Sequence, residues 1–405
     1  VARGRAAREI IDVNPTFDEV YTRLKAGRVY SGKVKRGILS GGRKGLRGLR
    51  HPYVVSVPRS YDPSRSYAVG FYLHGGAASP KILKPVRWWD FARTVYNDER
   101  ITVFPVSWRE SMWWQYIQVE NLNGILDLLK REYNVDENRV YMFGISDGGT
   151  GMYYFAAKNP TPWAAFVPAM GSPNVLNNRD VRAEGEIYAV NFFNKPFLVF
   201  NGGLDPLYPA ASVEPFVELF RSVGCDILFR PKPTVGHSAG WWDKEEEEMR
   251  RFMHEHARVP LPVSLMWETE DTERFGRAHW LVVTRLGAAE GESVLNPWNI
   301  IHPGGTEGRR RMAFARKQPS GRVIVQKKGN RVDAFTQGVK EFKLLIAPGF
   351  FDFERPIRVF TNGVEAFSGK LSEDTSVLLK WAALDNDRTM LFGAELTIAL
   401  KTRTN

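Results

Sequence analysis

Apolar positions follow two different rhythms along this chain. In the first rhythm, short apolar runs alternate with longer stretches spaced for helices. Tyr53–Val57, Tyr67–Leu73, Ile101–Val106, Arg139–Phe143, Ala164–Pro168, Pro196–Phe200 and Asp226–Arg230 read as strands. Between them, Gln115–Tyr133 places Ile117, Leu122, Ile125, Leu126 and Leu129 near the 3.6-residue spacing of a helix. Helices are also predicted over Asp147–Lys158, Val213–Val223 and Asp243–His256, and an amphipathic one over Thr16–Ala26 behind Asn14-Pro15-Thr16. Strands that alternate with helices predict an α/β fold with a mostly parallel sheet and helices on both faces. The strands lack clean in–out alternation, as expected when both faces are buried.

The second rhythm begins after the proline-punctuated segment Arg258–Pro262. Ala278–Thr284, Gly321–Lys328, Arg331–Thr336, Phe342–Ile346 and Ile357–Phe360 are short strand patterns, and Gly329-Asn330 and Asn362-Gly363 are hairpin signals. One helix, Ser376–Leu384, interrupts them. This spacing predicts a smaller β-sandwich-like domain. The expected organisation is a first domain over 1–258 with a basic N-terminal extension, and a β-rich accessory domain over 259–405. Pro260-Leu261-Pro262 is a short, stiff linker, which predicts that the second domain docks on the first, with Trp267, Trp280 and Trp298 as candidate anchors.

Composition narrows the picture. The 405 residues are 43% hydrophobic and 25% charged, which excludes a disordered, collagenous or coiled-coil chain. No run of about 18 apolar residues offers a membrane span. Cys225 is the single cysteine, so neither an internal disulfide nor a cysteine-based metal cluster can form. The net charge of +11 is concentrated: residues 1–50 hold thirteen Lys/Arg against four Asp/Glu. An anionic partner could use such a patch. Without interleaved aromatics it reads as a solvated basic edge, and no nucleic-acid partner is expected.

The sharpest chemical feature is Gly144-Ile145-Ser146-Asp147-Gly148-Gly149, between a predicted strand and a predicted helix. A serine on such a cramped turn needs small residues two positions either side, and Gly144 and Gly148 supply them. The turn lifts the hydroxyl above the sheet and aims the Asp147 N–H and the helix N-terminus at a developing oxyanion. A hydroxyl needs a base, and the base needs an orienting acid. Asp205 follows the strand 196–200, and His237, in Gly236-His237-Ser238, follows the strand 226–230. Singly these could be a glycine turn, a capping aspartate and a loop histidine. Together, in this order and each after a strand, they predict a Ser146–Asp205–His237 triad. Leu73-His74-Gly75-Gly76-Ala77 offers a second oxyanion donor, expected to be the Gly76 N–H, with His74 bracing the loop.

On these segments the first 258 residues resemble an α/β-hydrolase of the polyhydroxybutyrate-depolymerase and feruloyl-esterase type. The matching pieces are Leu73-His74-Gly75-Gly76, Gly144-Ile145-Ser146-Asp147-Gly148-Gly149, Gly203-Leu204-Asp205-Pro206 and Gly236-His237. With Trp267-Glu268-Thr269 and the segment from Leu379-Lys380-Trp381 to Glu395, the whole chain is similar to bacterial two-domain esterases. Unlike many fungal relatives, it has no disulfides and no evident long cap. The resemblance implies a serine carboxylic-ester hydrolase that uses no metal or organic cofactor and acts on a small-molecule or polymeric ester, feruloyl-like aryl esters or polyesters foremost. It also implies a secreted or periplasmic enzyme. A peptidase of the prolyl-oligopeptidase type and a non-enzymatic binding protein with a vestigial triad are the alternatives.

Tryptophans suggest where such a substrate would lie. Trp108, Trp113 and Trp114 follow one strand end, and Trp241 and Trp242 follow His237. Trp113, Trp114, Trp241 and Trp242 are therefore expected to form an aromatic wall, the alternative being core packing. Ser172–Asn194, with Phe192 and Phe193, is the candidate lid. His254 and His256 lie two apart on a helix, face different ways and predict no metal site.

Overall fold

The computed structural model describes residues 15–80, 99–287, 299–301, 310–314 and 318–400. The chain forms two compact units. One comprises Tyr30–Arg258 with Asn296–Gln318, and the other Val1–Val29, Val259–Leu295 and Pro319–Asn405.

The first unit is built on eight strands: β1 (Gly37–Lys44), β2 (Arg50–Val57), β3 (Tyr67–Leu73), β4 (Arg100–Pro105), β5 (Val135–Ile145), β6 (Phe166–Ala169), β7 (Phe197–Gly202) and β8 (Ile227–Lys232). Their order in the sheet is β1-β2-β4-β3-β5-β6-β7-β8. Neighbours from β4 to β8 pair parallel, and β1 and β2 are antiparallel. This is the mostly parallel sheet expected from the sequence. Strand β1 was not expected from the sequence, because Gly-Ile-Leu-Ser-Gly-Gly has neither alternation nor strand-forming residues in quantity. Its partner explains it: Gly41 pairs with Tyr53, and a Cβ at Gly41 would lie 2.4 Å from the Tyr53 ring.

Helices of this unit are α1's successors in chain order, α1 itself (Phe17–Ala26) belonging to the other unit. They are α2 (Tyr116–Glu132), α3 (Asp147–Lys158), α4 (Ala210–Ser222) and α5 (Glu246–Glu255). The sequence stretch behind α2 buries its predicted stripe of Ile117, Leu122, Ile125, Leu126 and Leu129. Helix α3 is buried from Gly148 to Lys158, which fits its run of Met152, Tyr153, Tyr154 and Phe155. On one sheet face Tyr72, Phe104, Phe143, Val167, Leu198 and Phe200 pack with Trp241, Met249, Phe252 and Met253. Two further short strands, β12 (Asn299–Ile301) and β13 (Arg310–Met312), pair with each other and are grouped with this unit.

The second unit is a sandwich of two sheets around one core. Its strands are β9 (Ser264–Thr269), β10 (Arg277–Ala278), β11 (Leu281–Leu286), β14 (Gly321–Lys328), β15 (Arg331–Gln337), β16 (Val339–Ile346), β17 (Ile357–Thr361), β18 (Val364–Gly369) and β19 (Ala394–Ala399). One sheet has the order β18-β17-β15-β14-β9 and the other β10-β11-β16-β19. Inward residues of both, among them Val323, Val325, Val332, Phe342, Leu344, Ile357 and Ile398, share one apolar cluster. Here burial alternates along β14 and β15, as expected for strands with one wet face.

Two expectations are corrected within this unit. Helix α1 does not extend the first domain. Its apolar residues Phe17, Val20, Tyr21 and Leu24 cluster with Leu378, Leu379 and Leu391 around helix α6 (Thr375–Asp385), which supplies the cover its stripe needs. Trp267 and Trp280 are not surface anchors. Both are fully buried in the sandwich core, and their indole N–H groups donate to Phe275 O and Pro262 O at 2.9 and 2.8 Å. Trp298 lies outside the described residues.

Candidate active site

Strand register brings the chemistry to one edge. Leu73 pairs with Gly144, so loop 74–77 leaves β3 beside the turn that leaves β5. Gly202 pairs with Lys232, so the segments carrying Asp205 and His237 leave β7 and β8 as neighbours. All four segments depart from the carboxyl ends of parallel strands, where ligands bind in such sheets.

The turn at Ser146 is strained, with φ 58° and ψ −121°. A non-glycine residue holds such a backbone only where its surroundings enforce it. Here the enforcement is close packing of glycines. A Cβ at Gly148 would lie 2.0 Å from Leu73 O, and one at Gly144 would lie 2.6 Å from the Gly148 carbonyl. The Ser146 N–H donates to Ala169 O at 2.9 Å, which pins the turn to β6. Asp147 opens α3, and the first N–H groups of a helix have no intrahelical acceptor.

His237 Nε2 lies 3.0 Å from Ser146 Oγ, and His237 Nδ1 lies 2.7 Å from Asp205 Oδ2. The Asp205 side chain is fully buried, and its other oxygen accepts the N–H groups of Leu207 and Tyr208 at 2.8 and 2.9 Å. A carboxylate held by three donors keeps its direction. It can therefore fix the imidazole with Nδ1 protonated and Nε2 open to the serine proton. Asp243, the next acid along the chain from His237, is exposed.

Loop 74–77 is braced as a unit. His74 Nδ1 donates to Gly75 O at 2.7 Å, and its Nε2 accepts the Ser107 N–H at 2.9 Å. Those two bonds fix a neutral tautomer, and burial pushes the His74 pKa down to about 4. Trp113 Nε1 donates to His74 O at 2.9 Å. The Gly76 N–H, the expected oxyanion donor, belongs to this loop. The next amide, the Ala77 N–H, donates to Asp147 Oδ2 at 2.8 Å. A carboxylate withdrawn from water takes the amides nearest to it.

The aromatic wall is mostly core. Trp113 and Trp114 are buried, the second donating to Val181 O at 2.8 Å. Trp241 is buried against Phe200, with ring centroids 5.1 Å apart. Large apolar indoles after strand ends are drawn under the sheet edge, and the N–H groups of Trp113 and Trp114 find loop carbonyls there. Only Trp242 of the four is partly exposed. The segment 172–194 forms short 3-10 turns, partly or fully exposed over much of 174–186 and buried from Ile187 to Phe192. Phe192 is fully buried and stacked on Phe220 at 3.8 Å, so it does not serve as a lid residue.

Tyr208 was missed by sequence reasoning. Its ring meets His237 edge-on at 5.9 Å, and burial, helped by Asp147 and Asp205 nearby, pushes its hydroxyl pKa up to about 12. The available signal was its place three residues after the acid, where its amide caps Asp205. Among the described residues no group of three or more His, Cys, Asp or Glu forms a metal-ligand set, and no helix is long and apolar enough to cross a membrane.

No family model matches the sequence. Over 148 residues the chain is 28% identical to a bifunctional acetylxylan esterase/xylanase of Neocallimastix patriciarum, covering 36% of this chain and 21% of that protein. The chain thus spans about a fifth of that curated relative's length. Among solved structures, a thermostable esterase is similar at 22% identity and TM-score 0.44, covering 55% of this chain and 63% of that one. A ferulic acid esterase is similar at 17% and 0.42, covering 54% and 98%. An acylaminoacyl peptidase is similar at 15% and 0.43, covering 56% and 43%.

Proposed function

We propose that the protein is a serine carboxylic-ester hydrolase working through a Ser146–His237–Asp205 acyl-enzyme mechanism. The observation that carries this reading is the unbroken line Asp205 Oδ2, His237 Nδ1, His237 Nε2, Ser146 Oγ, with links of 2.7 and 3.0 Å and the serine on a strained turn. Ser146 Oγ attacks the ester carbonyl while His237 Nε2 takes its proton, and Asp205 stabilises the imidazolium. The carbonyl oxygen becomes an oxyanion facing the Asp147 N–H and the glycine pair Gly75-Gly76. His237 then gives the proton to the departing alcohol oxygen as the C–O bond breaks. Water attacks the acyl-enzyme by the same route, the acid leaves, and Ser146 recovers its proton.

Support for an apolar substrate, an aryl ester or a polyester chain, comes from side chains left in solvent beside the triad. Leu204 and Leu207 flank Asp205 at 68% and 61% exposure, and Trp242 and Tyr208 lie partly exposed near His237. The test is turnover of aryl esters, alkyl esters and peptide amides by the wild-type chain and by Ser146→Ala. We expect ester hydrolysis in the wild type, with kcat reduced by about 10⁴-fold or more in the alanine variant. Ester turnover above a tenth of wild type in Ser146→Ala would end the reading. Amide cleavage at rates matching the esters would favour a peptidase.

A further inference from the structure

Outside the triad, the side chain of Asp147 is the most unusual group near the site. An acid in the first turn of a helix ordinarily faces water, where it complements the helix dipole. This one turns inward and crosses to a loop seventy residues earlier in the chain. Its Oδ2 accepts the Ala77 N–H at 2.8 Å. Ala77 is itself fully buried. Burial raises the Asp147 pKa, while the Ala77 amide and the nearby His237 oppose the rise.

The loop it grips lies directly against the nucleophile. A Cβ at Gly75 would lie 3.0 Å from Ser146 Cβ and 3.5 Å from Ser146 Oγ. His74 fixes one end of this loop through Gly75 O and the Ser107 N–H. At the other end the Ser79 N–H donates to Gly76 O at 3.1 Å and Ser107 Oγ makes a long 3.5 Å contact to Ala77 O, while the Asp147 carboxylate takes the Ala77 N–H. Because Asp147 is the next residue after Ser146, its side chain ties the nucleophile turn directly to this loop.

We propose that the Asp147 carboxylate is a positioning group that clamps loop 75–77 to the nucleophile turn, so that the loop's backbone stays at the distance a tetrahedral oxyanion requires. The inference rests on the reading of Ser146 as the nucleophile. It concerns the side chain of Asp147, separately from the donor role of its backbone N–H. Oxyanion donors act through fixed geometry, and a loop free to drift loses that stabilisation without losing ground-state binding.

The experiment compares Asp147→Ala and Asp147→Asn, with kcat referred to active sites counted by fluorophosphonate labelling so that misfolded chains drop out. Asp147→Ala should lower kcat by about 10- to 100-fold, with KM for a small aryl ester within about threefold, because the lost interaction acts on the transition state. Affinity for a trifluoromethyl ketone, which forms a tetrahedral oxyanion on the serine, should fall by the same factor as kcat/KM. Asp147→Asn keeps an oxygen that can accept the Ala77 N–H and should recover the rate to within about fivefold of wild type. An alanine variant within twofold of wild type, a loss carried by KM alone, or an asparagine variant as slow as the alanine would each overturn the clamp. An inactive Ser146→Ala beside any of these outcomes leaves the nucleophile assignment standing, whereas an active one removes the premise itself.

Discussion

At the scale of single residues, His74 makes the clearest pH-dependent contribution. It is buried and neutral, donating through Nδ1 and accepting through Nε2. Protonating Nε2 would set its new N–H against the Ser107 N–H. Its folded pKa lies near 4 against an ordinary value of 6.5. Between these values the unfolded chain binds the proton and the folded chain does not. The His74 contribution is therefore whole above pH 6.5 and is lost progressively as pH falls towards 4, about 3 kcal/mol in all. Tm measured from pH 7 to 4.5 should fall more steeply in the wild type than in His74→Gln. Equal slopes would mean that His74 is not held neutral by its surroundings.

At the scale of elements, the strand ends decide which aromatic side chains are free. Trp113 leads into α2 with its indole buried, and its ring meets His74 edge-on at 5.1 Å. Gly151 of α3 accommodates it, since a Cβ there would lie 2.5 Å from Trp113 Cβ. Trp242, just after the His237 loop, keeps part of its ring in solvent. Trp113→Ala should accordingly cost about 3–5 kcal/mol of stability and loosen loop 74–77. Trp242→Ala should leave Tm within a few degrees and raise KM for aryl esters by a few-fold, since it removes only a partly exposed contact. Denaturant melts and KM values for both variants check this, and a reversed pattern would restore the aromatic wall.

At the scale of the whole molecule, the unit that carries the Ser146–His237–Asp205 line is discontinuous in sequence. Residues 296–318 are grouped with Tyr30–Arg258 although they lie beyond the start of the sandwich. Within that unit Phe314 is buried, its ring lies 5.6 Å from Phe216 and 6.4 Å from Phe220, and its N–H donates to Asn177 Oδ1 at 2.8 Å. A chain cut at about Pro260 removes Phe314 and uncovers apolar α4 surface. The 1–260 fragment should therefore be less soluble and melt lower than the full chain. Phe314→Ala in the full chain should cost about 3–5 kcal/mol, because it empties the same place. A soluble fragment with an unchanged Tm would show that residues 296–318 contribute nothing to the hydrolase.

What the sequence determined by itself was local. Helix α3 and strands β3 and β14 are legible to the residue, because apolar period, glycine punctuation and turn chemistry are properties of neighbouring positions. Ser146, Asp205 and His237 were findable for the same reason: each follows a recognisable strand, and parallel strands send their ends to one edge. Tertiary structure alone decided the matters that depend on distant partners. Strand β1 exists because β2 pairs with it, and helix α1 is grouped with the sandwich because α6 covers its stripe. Trp113, Trp114 and Trp241 are core and Trp242 is not, although all four stand at similar places after strand ends. The Asp147 side chain reaches Ala77 only because β3 and β5 are neighbours. Burial and long-range hydrogen bonds are set by what a residue meets across the fold, and one-dimensional spacing carries no record of that meeting.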